Sequence, residues 1–576
     1  MGRRRGALGQ ILRKLCNRTG DRSSNVGLAA MKSSIATLTV RAEGSTIRLP
    51  VAEGRSVREV LDTTELRVRA ACGGTGTCGA CVVRLLSGET NEPTVAEYMK
   101  LTPEDLASGV RLSCQLRLKG DAEIFVEDPA PRSAWKSIFP EDLAPDGRGL
   151  PDLKEHTYGV AADLGTTHIR VSLWDRRNGR RIAARLGPNP QGNSGADILN
   201  RLSAARDNPE RARELARLAR TAIIQAVRDM LTRDVGEVKP MLAEIGRLMV
   251  VGNTAMLALL TGRGGAELLD PDSWQRPVDY LPLDPAAWQA EWFMPHVEVV
   301  LPPPVAGFIG SDLTSDLLAT GLADGPPGSL LLDVGTNIEI ALWDGRMLHI
   351  TSVPGGPAFE GGVSRGMPAE SGAIFRVRCR DDGGFECEVI GGGEPRGFCG
   401  SGLVDAIAAL VATGKLKPSG RFAVPPGAEG FRLLAGNART AITGSDIDAF
   451  QRAKAATAAG VAVLLRRAGM TWSGLRRLCV CGAFGRTLDT AHAQQLGLLP
   501  PVAPARVELH GNAALTGCER ALLSAHGEAL FGEALANRAA INMAQAAEYG
   551  DLYLDHLRLR PIPAERESEE VSCSPI

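Results

Sequence analysis

The feature that most constrains this chain is a cysteine and glycine run, Cys72-Gly73-Gly74-Thr75-Gly76-Thr77-Cys78-Gly79-Ala80-Cys81. Its three cysteines stand in C-x5-C-x2-C order, and a fourth, Cys114, follows 33 residues after Cys81. Four thiolates of this kind can converge on an iron pair if the loop folds tightly around it. Gly73, Gly74, Gly76 and Gly79 permit that, because a backbone without Cβ can approach the sulfides and turn its N–H groups toward them. The same residues admit two other readings, a zinc site or buried free thiols. Zinc sites usually pair two C-x2-C clips, and only one clip is present. Cys72, Cys78, Cys81 and Cys114 are therefore the expected ligands of a [2Fe–2S] cluster.

The flanks agree with a small domain built around that loop. Ala36-Thr37-Leu38-Thr39-Val40 and Thr46-Ile47-Arg48-Leu49-Pro50-Val51 alternate and predict two strands joined through Glu43-Gly44-Ser45. Ser56, with Glu59 three positions on, predicts a short capped helix. Cys81 to Leu86 and Ala122 to Val126 predict two more strands. Strand, strand, helix, cluster loop is the β-grasp order. With its five-residue first gap, the stretch resembles ferredoxins of the adrenodoxin and putidaredoxin kind over roughly residues 34–128.

The 576 residues predict three or four domains in all. A formal charge of −1 gives no bulk field for nucleic acid or an anionic membrane, and no 18-residue apolar run exists to span one. The eight further cysteines (Cys16, Cys379, Cys387, Cys399, Cys479, Cys481, Cys518, Cys573) lack framework spacing, which with an iron–sulfur cluster points to a reducing cytoplasm. Residues 1–33 are Arg-rich and free of acidic residues until Asp21, as in a transit peptide, but lack an apolar core. They are expected to be a disordered tail, or an over-long start with Met31 as the true one. Residues 129–156, rich in Pro and charge, read as a linker that lets the first domain reach more than one surface. Residues 561–576 read as a loose tail.

The middle of the chain repeats itself. Asp163-Leu164-Gly165-Thr166-Thr167 ends one apolar strand, and Asp333-Val334-Gly335-Thr336-Asn337 ends another. Leu-Trp-Asp follows each, at Leu173-Trp174-Asp175 and Leu342-Trp343-Asp344, with one residue fewer between in the second copy. Arg247 to Asn253 is echoed by Arg477 to Ala483. This internal duplication predicts two α/β halves, 157–318 and 327–560, facing each other across a cleft. Helices are expected at Pro209 to Leu231, Ser401 to Val411 and Phe450 to Ala468. Pro271 to Pro304 reads as an insertion or connection.

An Asp-x-Gly-Thr corner suits phosphate. Gly165 and Gly335 let backbone N–H groups meet phosphate oxygens, and Thr166, Thr167, Thr336 and Asn337 add donors. Asp163 and Asp333 can hold Mg²⁺ through water. Two such corners on opposite walls would grip a nucleotide from both sides. They resemble the phosphate motifs of the acetate and sugar kinase, Hsp70 and actin (ASKHA) superfamily. Cys481-Gly482-Ala483-Phe484-Gly485-Arg486 stands where its adenosine loop would lie, with Ala483 in place of a usual glycine, so Gly482 and Gly485 are candidate nucleotide contacts. Gly355 and Gly356 are candidates for a further wall of the cleft. Glu339 and Glu360 are candidates for ordering metal or water, with a surface or capping role as the alternative for each. His168 reads as a strand histidine rather than a catalytic one.

The fold class expected is thus α/β multidomain: a β-grasp [2Fe–2S] ferredoxin, a linker, then two duplicated RNase H-like (ASKHA, actin-like ATPase) domains. That arrangement, with Val251-Gly252-Asn253-Thr254 and Phe398-Cys399-Gly400-Ser401-Gly402, resembles the reductive activators of corrinoid proteins over about residues 34–560. The resemblance implies an ATP-dependent enzyme that passes one electron from its cluster to an inactive Co(II) corrinoid, restoring Co(I) for methyl transfer. It also implies Mg²⁺, a corrinoid protein or cobalamin-dependent methyltransferase as partner, an upstream reductase and a homodimer. One subfamily carries C-terminal [4Fe–4S] clusters instead, and Cys479, Cys481, Cys518 and Cys573 cannot form one. Two alternatives stay open: a redox-regulated kinase acting on a small molecule, and a non-hydrolysing electron-transfer adaptor. The ligand assignment predicts that the reconstituted chain absorbs visible light as a [2Fe–2S] protein and that Cys78→Ser loses this absorption. A colourless wild type refutes it.

Overall fold

The computed structural model describes residues 36–563 except 43–44, 53, 62–63, 65, 67, 69–75, 77–78, 80, 128–134, 139–148, 195–197, 275, 277, 361, 371, 428 and 483. The expectations for residues 1–33, Cys72, Cys78, Ala483 and most of the tail lie outside these.

The first domain is a five-stranded sheet in the order β2-β1-β5-β3-β4. Its strands are β1 (Ala36–Ala42), β2 (Ser45–Val51), β3 (Val82–Thr90), β4 (Val110–Leu112) and β5 (Leu118–Phe125). The first hairpin runs in register from Ala36 opposite Val51 to Ala42 opposite Ser45, and β1 lies parallel to β5. Alternation puts Leu38, Val40 and Ile124 in the core with Leu61 and Leu112. The Ser56 amide donates to Glu59 Oε2 at 2.6 Å, and the Glu59 amide donates back to Ser56 Oγ at 3.3 Å, the reciprocal cap the sequence predicts. A second helix, Val95–Lys100, is held by Glu97, which is wholly buried. Arg111 donates to both Glu97 oxygens at 2.8 and 3.1 Å, and the Leu112 amide adds a bond of 3.0 Å.

The remaining chain forms two six-stranded sheets that share the order of five strands and differ in the sixth, which is antiparallel and first in sequence in one sheet and parallel and last in the other. The first uses β6 (Lys136–Ser137), β7 (Tyr158–Leu164), β8 (His168–Asp175), β9 (Arg180–Pro188), β10 (Ile245–Val251) and β11 (Glu298–Val300) in the order β11-β10-β7-β8-β9-β6. The second contains β12 (Ser329–Val334), β13 (Asn337–Trp343) and β14 (Leu348–Pro354). Three short strands, β15 (Ala373–Cys379), β16 (Phe385–Val389) and β17 (Gly397–Phe398), then make a small side sheet, and β18 (Phe431–Arg432) and β19 (Ala441–Ile442) a ribbon. β20 (Arg477–Gly482), β21 (Val507–Leu509) and β22 (Arg538–Ala540) complete the order β21-β20-β12-β13-β14-β22.

Two expectations are corrected. Within the expected linker, Lys136 and Ser137 pair with Leu186 and Arg185 as an edge strand, and Lys136 also forms an ion pair with Glu370. The expected insertion at Pro271 to Pro304 supplies a helix, Pro285–Trp292, and the opposite edge strand β11. Proline density hid both, because each element is short and lies at a sheet edge, where proline is tolerated.

The long helix is Pro209–Met230, with Asn208 capping it and Pro209 at its first position. Helices also cover Gly400–Ala412 and Gly444–Arg467. The two halves are joined by an exchange of helices. Ser311–Thr320 follows the first sheet in sequence yet packs Leu313 and Leu317 on Leu331, Ala341 and Cys479 of the second. Ala513–Leu523 packs Leu515, Cys518 and Leu522 on Ala161, Met249 and Val251 of the first. Where these helices meet, a Cβ on Gly517 would stand 1.8 Å from the carbonyl oxygen of Ser315. Gly517→Ala is therefore expected to cost about 1–3 kcal/mol, read as a lower melting temperature with the ferredoxin domain unaffected. Unchanged melting would refute the close crossing.

Candidate functional site

The repeated corners fall where the register dictates. In the first half Asp163 pairs with Arg170 across β7 and β8, and in the second Asp333 pairs with Glu339 across β12 and β13. Both hairpins turn immediately beyond these pairs. Gly165 has no room for a side chain, since a Cβ would stand 2.6 Å from the carbonyl oxygen of His168. The two corners meet: Thr167 Oγ1 and Thr336 Oγ1 lie 3.5 Å apart. Between them a narrow cleft of about 80 Å³ is lined by Asp163, Gly165, Thr166, Gly335, Thr336, Asn337, Glu339 and Gly482, among others. Gly482, at φ +86°, brings β20 against this wall, for a Cβ there would stand 2.4 Å from Asp333 Oδ1.

Three glycine candidates do not line this cleft. Gly355 and Gly356 line a separate cavity of about 520 Å³ with Tyr549 and Tyr553, although Gly355 backs onto the carbonyl of Gly335. Gly485, at φ +53°, turns beyond the lining. Glu360 ends the short helical turn Pro357–Glu360, and its side chain lies outside the described residues. His168 opens β8 as a half-buried strand residue.

The electrostatics of the cleft are dominated by carboxylates. Arg170 Nη1 donates to Asp163 Oδ2 at 3.1 Å. The second half puts Glu339 at the place Arg170 takes in the first, so the corresponding pair joins two acids. Burial pushes Glu339 well above its ordinary range, and the charges of Asp312 and Asp333 add to this, opposed by a 3.2 Å bond from Ser352 Oγ. Asp312 and Asp316 project from the exchanged helix Ser311–Thr320. Burial, then the charge of Asp333, raises Asp312 to about 8 and Asp316 well above the carboxylate range. Asp163, Asp312, Asp333 and Glu339 line this small space and Asp316 is buried against Asp333 behind it, so the group must hold protons or a cation. Oxygen ligands of this kind suit Mg²⁺.

Arg170, Asn253, Asp312 and Asp316 were not singled out by the motif. The signal for the last two is present in the sequence: acids at i and i+4 share the helix face of Leu313 and Leu317, where an apolar stripe should hold none. Asn253 caps Thr254–Thr261 through the Met256 amide at 2.9 Å, while its Nδ2 donates to Thr166 Oγ1 at 3.2 Å.

At the other end of the chain, Cys81 and Cys114 are buried side by side. The Cys114 thiol draws Cys81 down to about 7 against the upward push of burial, which favours the thiolate that iron requires. Gly76 and Gly79 take left-handed φ values of +79° and +72°. A Cβ on Gly76 would stand 2.6 Å from Ala96 Cβ, so Gly76 lies directly against the helix Val95–Lys100. Two buried, adjacent sulfurs in the same domain as these two left-handed glycines fit a [2Fe–2S] group.

Comparison with known proteins follows this division. Residues 40–119 match the 2Fe-2S iron-sulfur cluster binding domain, residues 158–325 the RACo middle region, and residues 328–568 the C-terminal domain of RACo, the ASKHA domain. The chain is 31% identical over 398 residues to the corrinoid activation enzyme RamQ of Eubacterium limosum, covering 64% of each chain. It is 27% identical over 399 residues to the [Co(II) methylated amine-specific corrinoid protein] reductase of Methanosarcina barkeri, covering 62% of this chain and 68% of that one. The solved structure of a reductive activator for corrinoid, iron-sulfur protein superposes with a TM-score of 0.62 at 25% identity, covering 91% of this chain and 98% of that one.

Because Asp312 is raised, the folded cluster keeps a proton that the unfolded chain would release. Stability is therefore expected to fall as pH climbs from about 3.8 toward about 8. Mg²⁺, taking the proton's place, is expected to restore it. Thermal melting across that range, with and without Mg²⁺, checks both, and a melting temperature indifferent to Mg²⁺ throughout refutes the cation reading.

Proposed function

The chain belongs to the family of reductive activators of corrinoid proteins, whose ferredoxin, middle and ASKHA domains it carries in order, and on that footing we propose that it couples ATP hydrolysis to one-electron reduction of a Co(II) corrinoid protein. The observation that carries this reading is the meeting of two phosphate corners over a ring of carboxylates, on the same chain as the paired cluster cysteines. Cys72, Cys78, Cys81 and Cys114 hold the [2Fe–2S] cluster, which supplies a single electron at low potential.

In the cleft, Gly165, Thr166, Thr167, Gly335, Thr336 and Asn337 donate to the nucleotide phosphates. Asp163 and Asp333 would hold Mg²⁺, and Asp312 and Glu339, with Asp316 buried behind Asp333, would complete the acidic wall that orders metal and water. Gly482 brings β20 close enough for the nucleoside to lie on backbone. Ligand sites usually span about 300–1,000 Å³, so a space of about 80 Å³ requires the halves to part for nucleotide and close again. That motion is the means of coupling. A ligand that swings a two-state equilibrium from 1:99 to 99:1 contributes about 5.5 kcal/mol, which for one electron corresponds to about 240 mV of uphill transfer.

The corrinoid protein is the acceptor, and an upstream reductase refills the cluster. The protein works in the cytoplasm as a homodimer. The experiment is spectroscopic: the reduced protein is mixed with candidate Co(II) corrinoid proteins, with and without Mg-ATP, and Co(I) is followed. Co(I) is expected only with Mg-ATP. Asp333→Ala is expected to lower its rate at least about 10-fold while leaving the cluster spectrum intact. Reduction that proceeds equally well without nucleotide, or equal ATP binding by wild type and Asp333→Ala, refutes the reading.

A further inference from the structure

The outer face of the first half carries an open groove of about 980 Å³ between Pro209–Met230 and the glycine-rich turn after Thr254–Thr261. Arg206, Arg213, Arg217 and Arg220 line one wall, and Gly262 and Gly264 face them. Arg213, Arg217 and Arg220 stand at i, i+4 and i+7, so they share one helix face over about 10 Å. Arg220 is committed to Glu291 at 2.8 Å, and Arg206 to Asp207 at 2.8 Å. Arg213 and Arg217 are exposed, and among the described residues neither has an acidic partner. Glu267 also lines the groove but is bound to neither, so two like charges one turn apart repel each other, and an anion laid along the groove would relieve that repulsion.

The form of the anion follows from the layout. The guanidinium groups are strung along a line and do not converge on a point, which suits an extended chain of carboxylates better than a single phosphate. No aromatic residue lines the groove, so it lacks the stacking platforms that single-stranded nucleic acid uses. Its position is also informative. Ile198–Asp207 ends beside the groove at Arg206, and its buried Arg201 donates from Nη1 to the carbonyl oxygen of Thr166 at 2.8 Å. Thr254–Thr261 ends at Gly262 and begins at Asn253, which holds the Thr166 hydroxyl. Two helices thus run from the groove to one phosphate corner.

We infer that this groove docks an acidic polypeptide segment of a partner protein, a role separate from the electron-transfer reading and not dependent on it. The test uses the full, cluster-loaded chain and fluorescein-labelled octaglutamate, followed by fluorescence anisotropy at low salt. Binding is expected that weakens as salt rises, at least about tenfold weaker in Arg213→Glu/Arg217→Glu and largely kept in Arg213→Lys/Arg217→Lys. The cluster spectrum and melting temperature report that each variant is folded. Absence of binding, or equal binding by the charge-reversed variant, overturns the inference. Tighter binding of octathymidylate through the same two arginines overturns it in favour of nucleic acid.

Discussion

The architecture rests on the reciprocal packing of two helices. Ser311–Thr320 belongs in sequence to the first half and lies on the second sheet, while Ala513–Leu523 does the reverse. Neither half can move far without carrying a helix of the other, and Gly517 permits the crossing by leaving space for the Ser315 carbonyl. Arg181, bound to Glu519 at 3.0 Å, and Arg176, donating to the Leu522 carbonyl at 3.1 Å, add polar ties across the same boundary. The exchange also delivers Asp312 to the cleft and Asp316 to the buried side of Asp333. The element that latches the halves is therefore the element that loads the cleft with negative charge.

Duplication has been broken where the chemistry lies. The sheets share the order of five strands, but Arg170 faces Asp163 in the first half and Glu339 faces Asp333 in the second. One corner is balanced by its own cation, and the other concentrates acid that needs a proton or a metal. A symmetric cleft would not tell the two ends of a bound nucleotide apart, and this one has a built-in polarity.

Much of this was legible in the chain. The cysteine spacing, the alternation of β1 and β2 and the cap at Ser56 are local signals, and local physics realises them. The Asp-x-Gly-Thr repeats placed both corners, since a strand ending in such a turn has few other ways to fold. What escaped was of another kind. Gly355 reads as a wall of the cleft because it sits in a Gly-rich turn of the second half, yet it lines a different cavity even though it backs onto the Gly335 carbonyl. The i, i+4 spacing of Asp312 and Asp316 beside an apolar stripe marks them as unusual, but which sheet their helix lies on is a tertiary fact that no period of 3.6 encodes. Lys136 and Ser137 escaped because a two-residue strand has no pattern to detect.

That last strand has a geometric consequence. Since Lys136 and Ser137 are fastened to β9 and Lys136 also grips Glu370, the distance between the anchored ends is short. Val126 is buried in the ferredoxin core and Trp135 packs on the core of the first half, which leaves eight residues between them, at most about 29 Å of chain. The ferredoxin domain is therefore tied close to the edge of the first sheet. On the function proposed above, an acceptor has to bring its cobalt within that short radius.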